Sequence, residues 1–508
     1  MDDHYSTKTA KGGSARRFGK RKLAVDDIQV VEKPTLRKAV GGTVVGNTME
    51  WYDVGVFGYL AVTMGAVFLP QADPAVQLLF ALGTFAVTFI FRPLGGVVFG
   101  YIGDKIGRQK TLAWTLIMMA ASTFAIGLLP DYAAIGFLAP ALLVFLKILQ
   151  GFSTGGEYAG ATTFVSEYAP DKRRGFLASI LDLGSYLGFA VGAVVVSILQ
   201  VTLGQDTMEA WAWRIPFLIA GPLGLIAIYF RMKIEESPAF QATLDAQEEG
   251  AKEAQTNDDA VSHGPLGIFR RYWRGILIAM LLVAAANTVG YALTSYMPSY
   301  LTSVLDYDPL QGTVLTIPVL VVMALCIPLA GRLSDRIGRR PVLWIGSGST
   351  IVFAIPAFLL LQVGAVWSTL LGLALVAFPV TFYVSILASS LPALFPTASR
   401  YGAMGIAYNF AVAIFGGTAP FIMQGLVDLS GDDMMPAYYL VATSIVGAVT
   451  VYFMKESARK PMPGSMPSVD TESEAQALVA NQHRNELLDY SELPLDLEPD
   501  GERKPAGV

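Results

Sequence analysis

Six ionisable residues interrupt otherwise apolar segments of this 508-residue chain. They are Glu50, Asp53, Arg92, Lys147, Glu157 and Asp182, and all six belong to the first half of the sequence. A charged side chain at the centre of a membrane helix costs about 2.5–3.5 kcal/mol on insertion scales, so such residues normally face a cavity or one another. Carboxylates beside an amine in that setting can bind and release protons, and they are therefore candidate sites of proton coupling.

Asp53 and Lys147 are the main candidates for that role. If the segments are membrane helices, Glu50 and Asp53 lie about halfway across the first one, three residues apart on one face. Lys147 lies at a similar depth in the fourth, so the sequence predicts an Asp53–Lys147 pair. One interpretation makes Asp53 the proton carrier and Lys147 its partner, with Glu50 and Glu157 as further coupling residues. The alternative is a static buried ion pair that stabilises helix packing.

Aromatic and polar side chains are the candidate solute ligands: Trp51, Tyr52, Asn287, Tyr291 and Tyr296. Trp51 and Tyr52 lie between the two acids of the first segment, and aromatic ring faces attract quaternary ammonium groups. Asn287, Tyr291 and Thr294 recur at i, i+4 and i+7, so they share one face of the seventh segment. Packing, or bonding between helices, is the alternative role for these side chains.

A short charged motif occurs twice, at corresponding positions of the two halves. Residues 100–108 read GYIGDKIGR and residues 331–339 read GRLSDRIGR. Each copy follows one long apolar run and precedes another, so the chain consists of two homologous membrane halves. We predict a gating role at inner helix ends for the charged residues Asp104, Arg108, Asp335, Arg339 and Arg92. Arg92, Glu157 and Asp182 all fall in the inner third of their segments, where either a gate network or a structural cluster explains them.

The composition supports a membrane location for these residues. Hydrophobic residues make up 53% of the chain and charged residues 15%, with a mean hydropathy of +0.49, which excludes an ordinary soluble protein. About 20 apolar residues cross the hydrocarbon layer, and the uncharged runs predict twelve such spans. Residues 341–399 carry no charge and hold two of them, with a turn near Gly364. Spans in lipid must satisfy their own backbone hydrogen bonds, so we expect helices.

Lys and Arg concentrate in alternate loops, which places both termini in the cytoplasm. The predicted organisation is a cytoplasmic N-terminal tail (1–38), a six-helix bundle (39–232), a central cytoplasmic loop (233–270), a second six-helix bundle (271–455) and an acidic, mostly disordered cytoplasmic tail (456–508). The N-terminal tail has ten Lys and Arg against five acids, so it either contacts anionic lipid or remains solvated.

Several local sequences resemble the metabolite:proton symporter family of the major facilitator superfamily. They are residues 46–53 (GNTMEWYD), 92–96 (RPLGG), 150–160 (QGFSTGGEYAG), 213–217 (WRIPF) and 296–300 (YMPSY). The resemblance covers residues 40–460 and implies an all-α integral membrane protein of twelve helices in two six-helix repeats, with the substrate site between the halves. Residues 389–396 and 434–440 are most similar to the osmosensory proline/glycine betaine symporters of that family.

That resemblance implies proton symport of proline, glycine betaine and related zwitterions such as ectoine, activated by hyperosmotic stress, in a multi-pass protein of the inner membrane. Symport of 2-oxoglutarate, citrate or shikimate is the alternative within the family, and a non-transporting osmosensor is a further one. Four buried acids against two buried bases favour a zwitterion over a polycarboxylate.

The sequence also restricts the chemistry that we expect. The loops contain no nucleophile–base–orienter set and no metal-ligand spacing, so we do not expect an enzyme. A nucleotide-binding loop is also missing from the sequence, which excludes ATP as the energy source. We expect no cofactor, with the proton as coupling ion, and the expected partners are a small zwitterionic solute, protons and membrane lipids but no nucleic acid.

Overall fold

The computed structural model of the protein describes residues 22–31, 33–106, 108–232 and 265–494. Within these ranges the chain is almost entirely helical, and the only sheet is a pair of two-residue strands. The predicted N-terminal tail up to residue 21 and most of the predicted central loop lie outside the described residues.

In the part of the chain that the structure describes, the first half contains eleven α-helices. They are α1 (Lys33–Tyr59), α2 (Ala61–Phe68), α3 (Pro74–Ile90), α4 (Arg92–Ile106), α5 (Arg108–Gly127), α6 (Tyr132–Ile135), α7 (Leu138–Thr154), α8 (Glu157–Tyr168), α9 (Arg174–Leu203), α10 (Gln205–Thr207) and α11 (Arg214–Met232). Short 3-10 turns at Val25–Asp27 and Asp171–Arg173 and a π-turn at Met208–Ala212 complete this half.

The second half and the C-terminal tail contain ten α-helices in the described residues. They are α12 (Pro265–Tyr291), α13 (Met297–Ser303), α14 (Pro309–Val314), α15 (Thr316–Ile337), α16 (Arg339–Leu361), α17 (Val366–Ser390), α18 (Thr397–Ala411), α19 (Ala419–Ser430), α20 (Met435–Phe453) and α21 (Glu472–Ala480). The π-turns Ala292–Tyr296 and Val412–Gly416 join α12 to α13 and α18 to α19. Short 3-10 turns lie at Pro392–Leu394 and Gln482–Arg484.

The apolar helices correspond to the twelve predicted spans. Among the described residues, nine helices are long and apolar enough to cross a membrane, and α1 with α2 forms a tenth span bent by 61°. The shorter apolar stretches Trp114–Gly127 and Arg214–Ile226 supply the third and sixth spans. The turn predicted near Gly364 lies between the ninth and tenth spans, where this glycine has a φ of 79° in the left-handed region.

The two halves pack around one continuous core of buried apolar side chains. The fifth span (α9) packs against the eighth (α15) and the tenth (α17), and both of these belong to the other half. Because consecutive spans alternate in direction, the loops around residues 171–174, 336–340 and 392–400 lie at one end of the bundle. We call this end the basic face, since it carries Arg174, Arg339 and Arg400.

The two ends of the chain meet on the basic face. Strand β1 (Gln29–Val30) pairs in parallel with β2 (Ser468–Val469). Leu23 packs with Leu488, and Ile28 packs with Val469, in two small apolar clusters. The structure thus differs from the expected disorder over residues 456–494, because scattered apolar residues in this acidic segment are buried by the N-terminal segment. Residues 495–508 lie outside the described residues.

Candidate functional site

A small cavity lies between the two halves. Its volume is about 30 Å³, enough for about two water molecules at roughly 10–15 Å³ each. The first, fourth and fifth spans form one wall, and the seventh, tenth and eleventh spans form the other. The halves touch on both sides of it. Towards the basic face, Ser166 Oγ donates to the Ala388 carbonyl at 2.7 Å. On the other side the first span approaches the seventh so closely that a methyl group added at Gly58 would lie 3.3 Å from Cα of Ser295.

Six aromatic side chains line this cavity and form what we call the aromatic cage: Trp51, Tyr158, Tyr186, Phe189, Tyr291 and Tyr408. The Trp51 ring centroid lies 5.4 Å from that of Phe189 and 6.1 Å from that of Tyr291. Tyr158 stacks on Tyr408 at 4.3 Å, so the cage joins side chains of both halves. Electron-rich ring faces from several directions provide a binding surface for a cation.

Hydrogen-bond acceptors and donors also face the cavity. Asp182 accepts a hydrogen bond from the Tyr158 hydroxyl at 3.0 Å through Oδ1, while its Oδ2 has no hydrogen-bond partner among the described residues. The Asn287 Nδ2 and Tyr291 hydroxyl groups are buried and equally without a partner there. Unpaired buried polar groups are costly, so the cavity presents one acceptor and two donors suited to a ligand that carries both charges.

Three of the five predicted solute ligands line the cavity, namely Trp51, Asn287 and Tyr291. The other two point elsewhere. The Tyr52 hydroxyl donates to the Pro216 carbonyl at 3.0 Å, and the Tyr296 hydroxyl donates to Gln424 at 3.2 Å. Trp51 and Tyr52 are about 100° apart on their helix, and the Tyr52 ring is directed to the sixth span, where Pro216 lies.

Sequence reasoning missed four of the aromatic residues: Tyr158, Tyr186, Phe189 and Tyr408. It also placed Asp182 in a possible gate cluster, whereas this carboxylate lines the cavity. A signal was present, because Asp182 and Tyr186 are polar residues one helical turn apart in an apolar span. Nothing in the sequence indicated that Tyr408, from the other half, would stack on Tyr158.

The predicted coupling residues are joined by a chain of hydrogen bonds. Lys147 Nζ donates to Gln150 Oε1 at 2.9 Å, and Gln150 Nε2 donates to the Thr123 hydroxyl at 3.0 Å. That hydroxyl in turn donates to Asp53 Oδ2 at 3.0 Å. The predicted direct Asp53–Lys147 ion pair is absent from the described residues, because Gln150 and Thr123 lie between the two charges.

Lys147 is stabilised from a second side. Its ammonium lies 3.9 Å from the centroid of the Phe57 ring, a cation–π contact that partly replaces lost hydration. Lys147 and Asp53 are 2% and 4% exposed. Both charges are therefore buried and solvated by neutral groups instead of by each other, an arrangement that a change in protonation can alter.

Glu50 pairs with Arg92 instead of joining the Asp53 chain. The Arg92 Nη2 atom lies 3.2 Å from Glu50 Oε1, and both side chains are 1% exposed. The guanidinium also lies 4.5 Å over the Phe89 ring. The structure thus gives Arg92 and Asp182 different partners, Glu50 and Tyr158, while Glu157 is buried at the start of α8.

The second copy of the charged motif lies where the halves meet on the basic face. Asp335 pairs with Arg339 at 2.8 Å, and its carboxylate accepts the backbone N–H groups of Gly175 and Phe176 at 2.9 Å each. The side chains of Asp104 and Arg108, in the first copy, lie outside the described residues. A second contact between the halves joins Arg400 to Glu167 at 2.6 Å.

Comparisons with known proteins agree with this architecture. The family model described as sugar (and other) transporter matches residues 40–463. The ectoine/proline transporter ProP of Corynebacterium glutamicum is 50% identical over 477 residues, covering 93% of this chain and 94% of that protein. The proline/betaine transporter of Escherichia coli K12 is 44% identical over 463 residues, covering 91% of this chain and 92% of that protein.

Among solved structures, the major facilitator proton:xylose symporter XylE bound to 6-bromo-6-deoxy-D-glucose superposes with a TM-score of 0.69. It is 18% identical and covers 88% of this chain and 99% of XylE. The predicted all-α membrane fold is confirmed by this likeness. Together the family match and the two relatives confirm the predicted resemblance and make the protein a transporter, not an enzyme. The chain belongs to the sugar (and other) transporter family.

Proposed function

We propose that the protein is a proton symporter that accumulates zwitterionic compatible solutes, namely proline, glycine betaine and ectoine, by alternating access. The observation that carries the proposal is the aromatic cage with the Asp182 carboxylate at its edge. The names of the relatives point to the same solutes: one is an ectoine/proline transporter, and another a glycine betaine/proline/ectoine/pipecolic acid transporter, OusA of Dickeya dadantii, 44% identical over 467 residues.

The cage suits the cationic end of such a solute. A methylated ammonium has no N–H to donate, so it is held by charge and by ring faces. The carboxylate of Asp182 supplies the charge, and Trp51, Tyr158 and Tyr408 supply the rings. A secondary ammonium, as in proline, can in addition donate a hydrogen bond to the unpaired Oδ2 of Asp182.

The unpaired donors suit the other end of the solute. Asn287 Nδ2 and the Tyr291 hydroxyl both face the cavity, and both can donate to a carboxylate. They belong to the second half, whereas Asp182 belongs to the first. A bound zwitterion therefore contacts both halves at once, as alternating access around a central site requires.

Organic acids, the alternative substrates, fit this lining less well. The described residues that line the cavity include a carboxylate but no Lys or Arg. The nearby Arg92 is already paired with Glu50 at 3.2 Å. A di- or tricarboxylate would place several negative charges beside Asp182 without a free cation, and such like-charge contact in a buried site is unfavourable.

Proton coupling is assigned to the Asp53–Thr123–Gln150–Lys147 chain. Protonation of Asp53 removes the negative charge that Thr123 stabilises, and the hydrogen bonds that end on Lys147 can then rearrange. One proton moving down about 100 mV supplies about 2.3 kcal/mol, which supports a solute gradient of about 40-fold at about 1.4 kcal/mol per tenfold. The proton is the coupling ion in this proposal, and no cofactor takes part.

We further propose that the basic face lies in the cytoplasm and that osmotic stress activates the protein. The Lys and Arg of the basic face favour the cytoplasmic side under the positive-inside rule, in a multi-pass protein of the cytoplasmic membrane. Within the tail of residues 1–38, anionic lipids are the proposed partners of the basic residues before Leu23, because residues 23–31 pack on the C-terminal segment. We expect activation by hyperosmotic stress, because compatible solutes are needed when water leaves the cell.

The test is uptake in proteoliposomes with an imposed proton gradient. Labelled glycine betaine, proline, ectoine and citrate are compared at two external osmolalities. We expect uphill uptake of the three zwitterions that increases severalfold with osmolality and collapses when a protonophore is added. Citrate uptake without betaine uptake would replace the proposed substrate class. Binding of betaine without accumulation would instead support a sensor that does not transport.

The cage is tested in the same vesicles with Asp182→Asn. This variant keeps the shape of the side chain but removes its charge. We expect an increase of at least about tenfold in the KM for betaine, since removing one partner of a buried charge pair costs about 3–5 kcal/mol. Asp428→Asn is the control, because it changes an exposed carboxylate that accepts a hydrogen bond from Gln424 in α19, outside the cavity.

A further inference from the structure

The C-terminal segment lies across the junction of the two halves on the basic face. We propose that residues 456–474, here called the latch, hold the basic face closed and must detach before that face can open. The inference rests on the proposed function only in requiring a transporter that opens alternately to both sides. The partner of the basic face is thus an acidic segment of the same chain.

The latch contacts the first half through the turn before α9. The Arg174 guanidinium donates to the Lys460 carbonyl at 2.9 Å, and the Ser468 N–H donates to the Asp171 carboxylate at 3.1 Å. Beyond these buried contacts, Glu474 pairs with Lys172 at 3.2 Å. Arg173 likewise pairs with Asp470 at 3.3 Å.

The same segment also contacts the second half, at the start of α16 and at the start of α18. The Glu456 carboxylate accepts the backbone N–H of Arg339 at 2.8 Å and that of Arg340 at 3.0 Å. This places a negative charge on the N-terminus of α16, where the helix dipole favours it. At the start of α18, Arg400 donates to the Pro463 carbonyl at 2.8 Å.

These contacts engage the residues that join the halves. Arg400 binds Glu167 of the first half while it donates to the latch. Arg459 donates to the main-chain carbonyl of Asp335 at 2.5 Å, and the Asp335 carboxylate binds the start of α9. Separation of the halves at this face would therefore break latch contacts on at least one side.

The N-terminal segment holds the latch in place. The Val31 N–H donates to the Val469 carbonyl, and the Gln29 N–H donates to the Pro467 carbonyl, both at 3.0 Å. Val31 lies two residues before the start of α1 (Lys33–Tyr59), the first span. The latch is thus connected to a span that lines the cavity through Trp51, so detachment and rearrangement of the site are mechanically linked.

The outer contacts of the latch are the ones that salt can weaken. The Lys172 and Arg173 side chains are 63% and 49% exposed, and exposed ion pairs are screened as ionic strength increases. A cell that loses water concentrates its internal salt. We therefore expect the latch to detach at high internal ionic strength, when uptake of compatible solutes is needed.

Hydrogen–deuterium exchange of the full-length protein in nanodiscs tests docking without any transported solute. We expect protection of the backbone of residues 468–480 at low KCl concentration and loss of that protection as KCl increases. The double variant Asp470→Asn/Glu474→Gln should exchange about fivefold faster at low salt. Glu472→Gln is the matched control, because Glu472 is an exposed acid of the same helix and makes no ion pair with the described residues.

A reversible cross-link tests the need for detachment. Arg173→Cys and Asp470→Cys are combined with Cys326→Ser and joined by a short bis-methanethiosulfonate reagent. We expect betaine uptake to fall at least tenfold after cross-linking and to recover on reduction, while each single-cysteine variant keeps its uptake. Full uptake by the cross-linked protein, or no protection of residues 468–480 at low salt, would overturn the latch. If the unmodified protein takes up no zwitterion, the proposed function fails, but the exchange experiment still decides on docking.

Discussion

The carboxylate of Asp335 accepts the backbone N–H of Gly175 at 2.9 Å, across the boundary between the two halves. Gly175 is the second residue of α9, so a negative charge from one half lies at the N-terminus of a helix from the other. A methyl group at Gly175 would lie 2.7 Å from the Gly331 carbonyl oxygen, which explains why glycine occupies this position. This contact closes the basic face without any side chain from the first half.

Asp335→Asn should therefore shift the protein towards the state that is open on the basic face. The lost charge-assisted hydrogen bonds correspond to about 1.5–3 kcal/mol, or at least about a tenfold change in the population of the two states. Alkylation of a single cysteine introduced at Ser153 would report the opening. Asp308→Asn, which removes the charge of a helix-capping carboxylate at the opposite end, is the control. Unchanged alkylation in Asp335→Asn would exclude a gating role.

The first copy of the motif is expected to act in the same way. Asp104→Asn should reduce uptake while the protein remains in the membrane at its normal level. Initial rates of betaine uptake, divided by the amount of protein on a blot, measure the effect. Normal uptake by this variant would restrict gating to the second copy of the motif.

Trp51→Ala should weaken the binding of glycine betaine more than the binding of proline. The quaternary ammonium of betaine depends on ring faces, each contributing about 0.5–2 kcal/mol, whereas proline can also donate a hydrogen bond. We expect the ratio of the two KM values to change about fivefold to tenfold in competition uptake. The neighbouring Tyr52→Phe is a control, since its hydroxyl bonds Pro216 outside the cavity. An equal loss for both solutes would assign Trp51 to packing.

Asp53→Asn should abolish accumulation driven by the proton gradient and keep exchange of internal for external solute, because the amide resembles the protonated acid. Thr123→Val keeps the shape of the side chain and removes the hydroxyl that links Gln150 to Asp53. It should reduce uphill uptake at least about fivefold while exchange continues. Undiminished uphill uptake by Asp53→Asn would transfer the carrier role to Glu50 or Glu157.

Docking of the latch should weaken in acid. Burial acts to raise the pKa of Glu474, but hydrogen bonds from the Asp470 N–H and from Lys172, together with the charges of Lys172 and Arg173, hold this pKa below its ordinary value of 4.5. Because docking lowers this pKa, the contribution of Glu474 to docking is complete above pH 4.5. It is lost as the pH falls through the pKa of the docked state. The protection factor of residues 468–480 at low salt, which corrects for the slower intrinsic exchange in acid, should thus fall below pH 4.5. The fall should be smaller in Glu474→Gln.

The sequence alone was sufficient to predict the spans, the turn near Gly364 and the two related halves. Lipid offers the backbone no hydrogen-bond partners, so an apolar run of about 20 residues has essentially one regular conformation. The sequence also identified the buried charges, since a charged residue within an apolar run is costly and therefore rare. Periodicity within one helix correctly placed Asn287 and Tyr291 on a common face.

Only the tertiary structure decided how those faces meet. Asp53 and Lys147 were at suitable depths for a direct pair, but the rotation of their helices places Gln150 and Thr123 between them. The stacking of Tyr158 on Tyr408 and the docking of the latch likewise join parts of the chain that are distant in sequence. Helical periodicity defines which residues share a face, whereas packing against distant helices determines what that face contacts.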